Sequence, residues 1–458
     1  MRGGAHVAVI DLGKTSAKLS VVDEAGRVLE ERRLAVHARP GPPYPHLDVE
    51  GTFAWCLSSL RALAEPWPIE TIVPVAHGAA AALLAGDELA MPVMDYEFAG
   101  VEEIADAYPA PPFRETLSPR LPAGLNLGRQ FFWQATRMPE RFALVTEILP
   151  LPQYVGWRLT GRNAAEVTSL GCHTDLWCPH TRTFSSLARS RGWDNLFPKI
   201  EPAWAELGRL RPEIRELAGL SDRCRVLVGI HDSSASFLPH RAARRPPFAV
   251  VSTGTWVVCM AAGGSIDALD PAADTLANAD AFGDALPTSR FMGGRELEAI
   301  AQTCGELPSV ELDDVERVVD RGLFAIPSFA AAGGPFRSSR GRLEGGSAED
   351  PGERAALGVV YCALMTDVCL GLVGAKGPCI VEGSFVRTPA FAALLAALRR
   401  GSEVLVAGEA SGTTAGARLL ARWPATNAAG AYTSAHPAEI DGLADYCDRW
   451  RKKLPPIR

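Results

Sequence analysis

Two segments carry residue types suited to gripping phosphate: Val7-Ala-Val-Ile-Asp-Leu-Gly-Lys-Thr-Ser-Ala-Lys-Leu-Ser-Val-Val22 and Phe248-Ala-Val-Val-Ser-Thr-Gly-Thr-Trp-Val-Val-Cys-Met260. In each, a β-branched run reaches a glycine flanked by small hydroxyl residues, and a second apolar run leads back, which is the pattern of a β-hairpin. Tips of this composition expose successive backbone N–H groups with little side chain in the way, so two of them facing one another could hold a polyphosphate. A third segment, Arg225-Val-Leu-Val-Gly-Ile-His-Asp-Ser-Ser-Ala-Ser236, reads as a buried strand that delivers His231 and Asp232 to the start of a helix. Strand ends of this kind are where sites gather. Gly13-Lys14-Thr15 is not a P-loop, because that pattern needs a glycine where this chain has Ala8, and a helix where this chain continues into a strand.

The elements that must position these residues follow from the hydrophobic pattern. Strands are expected at Val7–Leu12, Lys18–Val22 and Val28–Leu34, then a helix from about Glu50 to Ala64 and a strand at Thr71–Ala76. The order β-β-β-α-β-α is that of the ribonuclease-H-like fold. The basic, proline-rich stretch 239–247 marks a domain boundary, giving an N-terminal domain over 1–240 and a C-terminal domain over 245–458. In the latter, Cys379–Phe385 runs from strand into a glycine turn. Thr388 and Pro389 then open a helix as N-cap and first helical residue. Val404–Ala407 and the residues from Ser411 repeat strand, turn and helix, and Pro437–Leu454 reads as a closing surface helix.

The 458 residues exceed what one core holds, so two domains are the expected minimum. An apolar fraction of 47% with 22% charged residues places the chain among soluble globular proteins. A net charge of −7 argues against a nucleic-acid partner. No apolar signal region opens the sequence and no Cys-x-x-Cys pair occurs, so a cytoplasmic protein with reduced thiols is expected. Ala355–Ala375 is long and apolar enough to span a bilayer, but Asp367 and four glycines favour a buried interior helix, so no membrane partner is expected. Cys172, His173, Cys178 and His180 match no zinc spacing.

Asp11 to Lys18, the segment ending in His231-Asp232-Ser-Ser-Ala, Ser252 to Trp256, and Val381-Glu-Gly-Ser-Phe-Val-Arg-Thr-Pro389 together resemble the FGGY carbohydrate kinases of the actin-like ATPase superfamily, in motif most like the rhamnulose-type ketose kinases. The resemblance covers about residues 5 to 425. It implies an α/β protein of two ribonuclease-H-like domains with an active-site cleft between them. It further implies transfer of the γ-phosphoryl group of MgATP to a hydroxyl of a small sugar, a ketose by preference. ATP and Mg²⁺ are thus the expected cofactors and a sugar the expected partner, and a homodimer is compatible. The alternative is a nucleotide-gated binding protein of the actin or chaperone kind, since fold does not fix function.

By that resemblance Asp232 is the catalytic base that accepts the sugar's proton, although an aspartate at a strand end can also be a helix cap. Asp11 stands at the Mg²⁺ position, acting through water. Gly13, Lys14 and Thr15 face the phosphates from one side, and Thr253, Gly254 and Thr255 from the other, with Lys18 as the basic member. For Lys14, charge neutralisation and a place in solvent are both open. Gly383 and Glu409 border the adenosine, and Glu382 replaces a family glycine there. On the sugar face stand His77, Gly78, Asp95 and His231, of which the two histidines and Asp95 have an ordinary structural reading as well, and the resemblance also puts His173 within reach of the sugar. Arg290, in place of a family asparagine, either meets a more acidic or more oxygenated sugar or pairs with Glu296 or Glu298 on one helix face.

Overall fold

The computed structural model describes residues 6–303, 308–330, 333–346, 348, 350–408, 412–424 and 432–457. The chain forms two compact units. The first holds Met1–Ala243, Ala277–Ala285 and Ala410–Ala429, and the second holds Arg244–Leu276, Leu286–Glu409 and Gly430–Arg458. The division expected at 240/245 therefore differs in two later segments, which group with the first unit. Glu409, expected at the adenosine, lies outside the described residues.

In the first unit, β1 (His6–Leu12), β2 (Ser16–Val22) and β3 (Val28–Ala35) form an antiparallel meander. After α1 (Val49–Ala64), β4 (Ile69–Ala76) returns parallel to β1, from Val7↔Thr71 to Leu12↔Ala76. The short strands Arg225–Leu227 and Ile230–His231 add parallel to β4, and Glu206–Arg209 closes that edge antiparallel. β1 and β4 read as nearly unbroken apolar runs because helices cover both faces of the sheet. The Asp48 carboxylate caps α1 by accepting from the Gly51 N–H at 3.1 Å, and Phe53, Cys56, Leu60 and Leu63 recur at helical spacing to bury one stripe. That stripe packs into a core with Ile10, Leu19 and Ile72.

The second unit repeats this order. Ala285–Phe291, Val257–Ala262 and Phe248–Thr253 form an antiparallel set, and Cys379–Gly383 and Val404–Ala407 add parallel to the last of these, with Tyr432–Ser434 antiparallel at the edge. Its core gathers Val251, Phe291, Leu364 and Val381. The apolar helix expected around Ala355–Ala375 runs from Pro351 to Leu372, with Asp350 as N-cap. It is the one described helix long and apolar enough to cross a membrane, and 78% of its most apolar stretch is buried inside the protein. The helix Pro389–Leu398 begins where Thr388 and Pro389 place it, but the Thr388 hydroxyl makes no capping bond. The closing helix is shorter than its pattern suggested, Leu443–Lys452, because Gly442 enters it in a left-handed conformation.

Helix Thr413–Leu420 lies against helix Asp232–Ala243 at Gly416, where a β-carbon would overlap the carbonyl oxygen of Ala235. Replacing Gly416 by alanine gains at most about 1 kcal/mol of helix propensity. Overpacking against fixed backbone costs roughly 1–3 kcal/mol. Gly416→Ala is therefore expected to be net destabilising, read as a lower urea midpoint with an unchanged slope.

Candidate active site

The first hairpin places Asp11 directly opposite Lys18 across β1 and β2. Their side chains meet at 3.3 Å, and the Thr413 hydroxyl donates to the same oxygen, Asp11 Oδ2, at 2.9 Å. Burial raises the Asp11 pKa above the ordinary range, against the pull of Lys18 and Thr413. The turn is closed by the Gly13 N–H donating to the Ser16 carbonyl at 3.1 Å. Thr15 is exposed at the tip.

Asp232 reaches the same place by a different route. The chain bends at Gly229, in a left-handed conformation against the Pro74 carbonyl, and Ile230–His231 then pairs with Val75–Ala76. His231 and His77 thereby leave adjacent parallel strands on one end of the sheet, and Asp232 starts the following helix. The Asp232 carboxylate lies 3.1 Å from His231 Nε2 and accepts the Ser233 N–H at 2.5 Å. With its side chain 30% exposed, it has lost enough solvation that its pKa is raised, His77 opposing in part. Burial pushes His231 down to about 4, so its ring is neutral near pH 7. A neutral imidazole can donate to Asp232 and orient it without cancelling its charge.

The backbone N–H of His231 donates to Thr168 Oγ1 at 3.1 Å, and Thr168 in turn donates to the buried Glu166 carboxyl at 2.6 Å. Sequence reasoning missed this support, since Glu166 lies outside every motif. Gly78 has a packing reason to be glycine: a β-carbon there would sit 2.8 Å from Cys172 Sγ and 3.1 Å from His231 Nε2. Those two atoms are themselves 3.2 Å apart. His77 Nδ1 donates to the Gly78 carbonyl at 2.8 Å, and its ring meets Tyr96 edge-on at 5.4 Å.

A cavity of about 370 Å³ in this unit is lined by Asp11, Gly13, Lys18, Arg33, Asp232 and Thr413 among others. It joins the expected base, the expected metal carboxylate and two cations, Lys18 and Arg33, which face each other across β2 and β3. Like charges opposite one another on a sheet are unfavourable, and here each is offset by a carboxylate, Lys18 by Asp11 at 3.3 Å and Arg33 by Glu31 at 2.6 Å. Arg33 and Thr413 were missed from sequence: Arg33 sits in an unremarked charged strand, and Thr413 is brought in from 402 residues away.

The second unit builds its own glycine-lined wall. Thr253 Oγ1 donates to the Glu382 carbonyl at 2.5 Å and accepts the Phe385 N–H at 2.9 Å, so the tip of the second hairpin is tied to the neighbouring turn. Gly383, with φ +88°, lies so close that a side chain would overlap the Thr253 carbonyl. Glu382 is buried and serves through its carbonyl. The Gly294 N–H donates to the Gly254 carbonyl at 3.1 Å. A cavity of about 660 Å³ opens beside this wall, lined by Gly254, Thr255, Arg295, Glu298, Ser309 and Arg387 among others.

Two expectations, for Lys14 and Arg290, need correction. The Lys14 ammonium is not in solvent: it is ion-paired with Asp95, 3.4 Å from Glu97 Oε2 and 4.9 Å from the centre of the Tyr96 ring. Arg290 lies on a strand, so it cannot share a helix face with Glu296 or Glu298. Its guanidinium is 3.4 Å from the buried Asp274 carboxylate and over the Trp256 ring, while Glu298 pairs with Arg295 and Glu296 takes the Tyr361 hydroxyl. His173 donates from Nδ1 to the Leu125 carbonyl at 2.9 Å. Among the described residues no three His, Cys, Asp or Glu groups are arranged to hold a metal.

Each unit thus carries a cavity at the glycine-turned end of its sheet, one lined by Asp11, Lys18 and Asp232 and the other by Gly254 and Thr255. Residues 245–429 match the family described as carbohydrate kinase FGGY, C-terminal domain. A solved carbohydrate kinase from Novosphingobium aromaticivorans is 36% identical, with a TM-score of 0.92 over 99% of both chains. L-fuculokinase from Salmonella typhi is 25% identical over 273 residues, 57% of each chain, and rhamnulokinase from Oceanobacillus iheyensis is 28% identical over 120 residues, 26% of this chain and 25% of that one. The match thus spans little more than half the length of the L-fuculokinase. The chain belongs to the FGGY carbohydrate kinase family, whose kinases use ATP.

The surroundings of Gly254 make it a clean probe of the second hairpin. A β-carbon there meets only the Trp256 carbonyl, at 3.9 Å, so valine can be accommodated without unfolding. Gly254→Val is expected to weaken ATP binding by calorimetry while leaving sugar binding and the melting temperature near those of the parent; equal weakening of both ligands would contradict a nucleotide role for this tip.

Proposed function

We propose that the protein is an ATP-dependent carbohydrate kinase that transfers the γ-phosphoryl group to a hydroxyl of a small, uncharged sugar of the ketose class. The observation that carries this reading is the Asp232 carboxylate, raised in basicity by desolvation, oriented by a neutral His231, and lining one cavity with Lys18 and Asp11. A hydroxyl attacks phosphorus more readily when a positioned carboxylate can take its proton, and the base works best when its pKa approaches the working pH.

In this reading the acceptor hydroxyl donates to Asp232, and Lys18 offsets charge on the transferred group. Catalysis otherwise rests on positioning and electrostatics, as phosphoryl transfer generally does. The second unit's cavity is assigned to the nucleotide, with the backbone of Thr253 to Thr255 against the phosphates and Gly383 beside the adenosine. The oxygen donors of Asp11 and Thr413 suit a hard cation that keeps most of its waters, so Asp11 is assigned to Mg²⁺, which when bound would neutralise phosphate charge. His77, Gly78, Asp95 and His231 are assigned to the sugar side. In the 94–97 turn the carboxylates of Asp95 and Glu97 stand against the ammonium of Lys14, a balance that favours a neutral sugar over a sugar acid. Arg290, held by Asp274, does not supply the counter-charge an acidic substrate would need.

The test is ADP formation on addition of ketoses, aldoses, polyols and sugar acids. Stimulation by a neutral sugar is expected, and ATP turnover indifferent to every sugar would favour a nucleotide-gated binding protein instead. Asp232→Asn is expected to lower turnover by roughly 10²- to 10⁴-fold, with ATP and sugar affinities near those of the parent. A variant that turns over close to the parent rate would remove Asp232 from the role of base.

The same carboxylate predicts a pH profile. Because its pKa is raised, Asp232 stays protonated, and inactive as a base, to higher pH than an ordinary aspartate does. Activity should rise with pH along an acidic limb whose midpoint lies above the usual aspartate value of about 3.9. A limb at or below that value in kcat/KM would contradict the assignment.

A further inference from the structure

The ammonium of the tip residue Lys14 faces carboxylates. Its ammonium is enclosed by one short turn: the Asp95 carboxylate takes the ion pair, Glu97 Oε2 lies 3.4 Å away, and the Tyr96 ring covers it at 4.9 Å. The side chains of Lys14 and Asp95 are 16% and 5% exposed, so the pair is largely out of water and neither charge is easily left alone.

The turn itself is braced. Asp95 Oδ1 accepts the Glu97 N–H at 2.9 Å, the Asp95 carbonyl accepts the Phe98 N–H at 3.0 Å, and the Asp95 N–H donates to the Pro45 carbonyl at 2.9 Å. From the turn, contact continues inward: Tyr96 packs edge-on against His77, and His77 feels the charges of both Lys14 and Asp232. A single hairpin tip therefore serves two sides. Asp11, Gly13 and Lys18 line the cavity that holds Asp232, whereas Lys14 turns to the 94–97 segment.

We propose that Lys14 is a positioning residue for the sugar acceptor and not a ligand of the ATP phosphates, holding Asp95, Tyr96 and Glu97 in one arrangement beside His77. The proposal deepens the kinase reading and rests on its assignment of Asp95 and His77 to the sugar side. Removing the ammonium leaves the Asp95 carboxylate buried without its counter-charge, so the turn must shift or admit water. The flexible stem of Lys14 is replaceable by another cation of similar reach, but not by a neutral side chain.

The experiment compares Lys14→Met, Lys14→Arg, Asp95→Asn and the double variant Lys14→Met/Asp95→Asn. Lys14→Met should raise the KM for the sugar about tenfold or more, as expected for truncating one partner of a buried charge pair, with the KM for ATP unchanged. Lys14→Arg should restore most of the sugar KM. The double variant should be no worse than Lys14→Met alone, since both remove the same interaction. A rise in the KM for ATP with the sugar KM unchanged, or an equal rise in both, would overturn the proposal, as would normal kinetics in Lys14→Met. Calorimetry of ATP binding to Lys14→Met without any sugar separates this proposal from the kinase reading: weakened nucleotide binding overturns the Lys14 assignment whether or not the unmodified protein phosphorylates any of the sugars offered, and unchanged binding together with the raised sugar KM upholds it. Should Lys14→Met fail to fold, the Lys14→Arg variant with the same two KM measurements decides, since an arginine that raises only the ATP KM contradicts the proposal.

Discussion

A carboxylate can be a strong base in a protein only if it is kept partly from water and is not handed a cation that would stabilise its charge. Asp232 meets both conditions. Its neighbour His231 is itself so buried that it stays neutral, and the two lysines of the first hairpin are committed elsewhere, Lys18 to Asp11 and Lys14 to Asp95. The arrangement of the first unit is a partition of charge: each ammonium of the hairpin has a carboxylate beside it, and Asp232 is left with a neutral partner.

Holding that partition requires backbone brought unusually close. Gly229 lets the strand ahead of Asp232 bend against Pro74, Gly78 makes room for Cys172 and His231, and Gly416 lets a later helix lie against the one that Asp232 begins. At Gly383 in the second unit the same device brings two parallel strands together at the hairpin tip. None of these glycines is interchangeable with alanine, because the atom in the way is in each case backbone or a site side chain. The glycine at 254 differs, having open space around it.

The two units repeat one sheet, an antiparallel three-stranded meander continued by parallel strands, yet they carry different chemistry at equivalent places. The first hairpin bears an acid and two ammonium groups; the second bears hydroxyls and backbone, with a tryptophan that stacks on Arg290. A repeated scaffold thus supplies two similar turns that differ in side-chain type.

Much of this was legible in the chain itself. Both hairpins, the strand that delivers His231 and Asp232, the buried apolar helix at 351–372 and the family resemblance all rest on short runs in which neighbouring residues interact with one another, so local pattern determines the outcome. What the sequence could not decide was where long, flexible or distant side chains end. Lys14 finds Asp95 across 81 residues, Thr413 reaches Asp11 across 402, and Arg290 settles on Asp274 instead of a helix neighbour because its residue lies on a strand. Such partners are chosen by desolvation and packing after the sheets have formed. An ammonium or guanidinium pulled from water takes the nearest carboxylate that the finished tertiary structure offers, and no local spacing encodes which one that is.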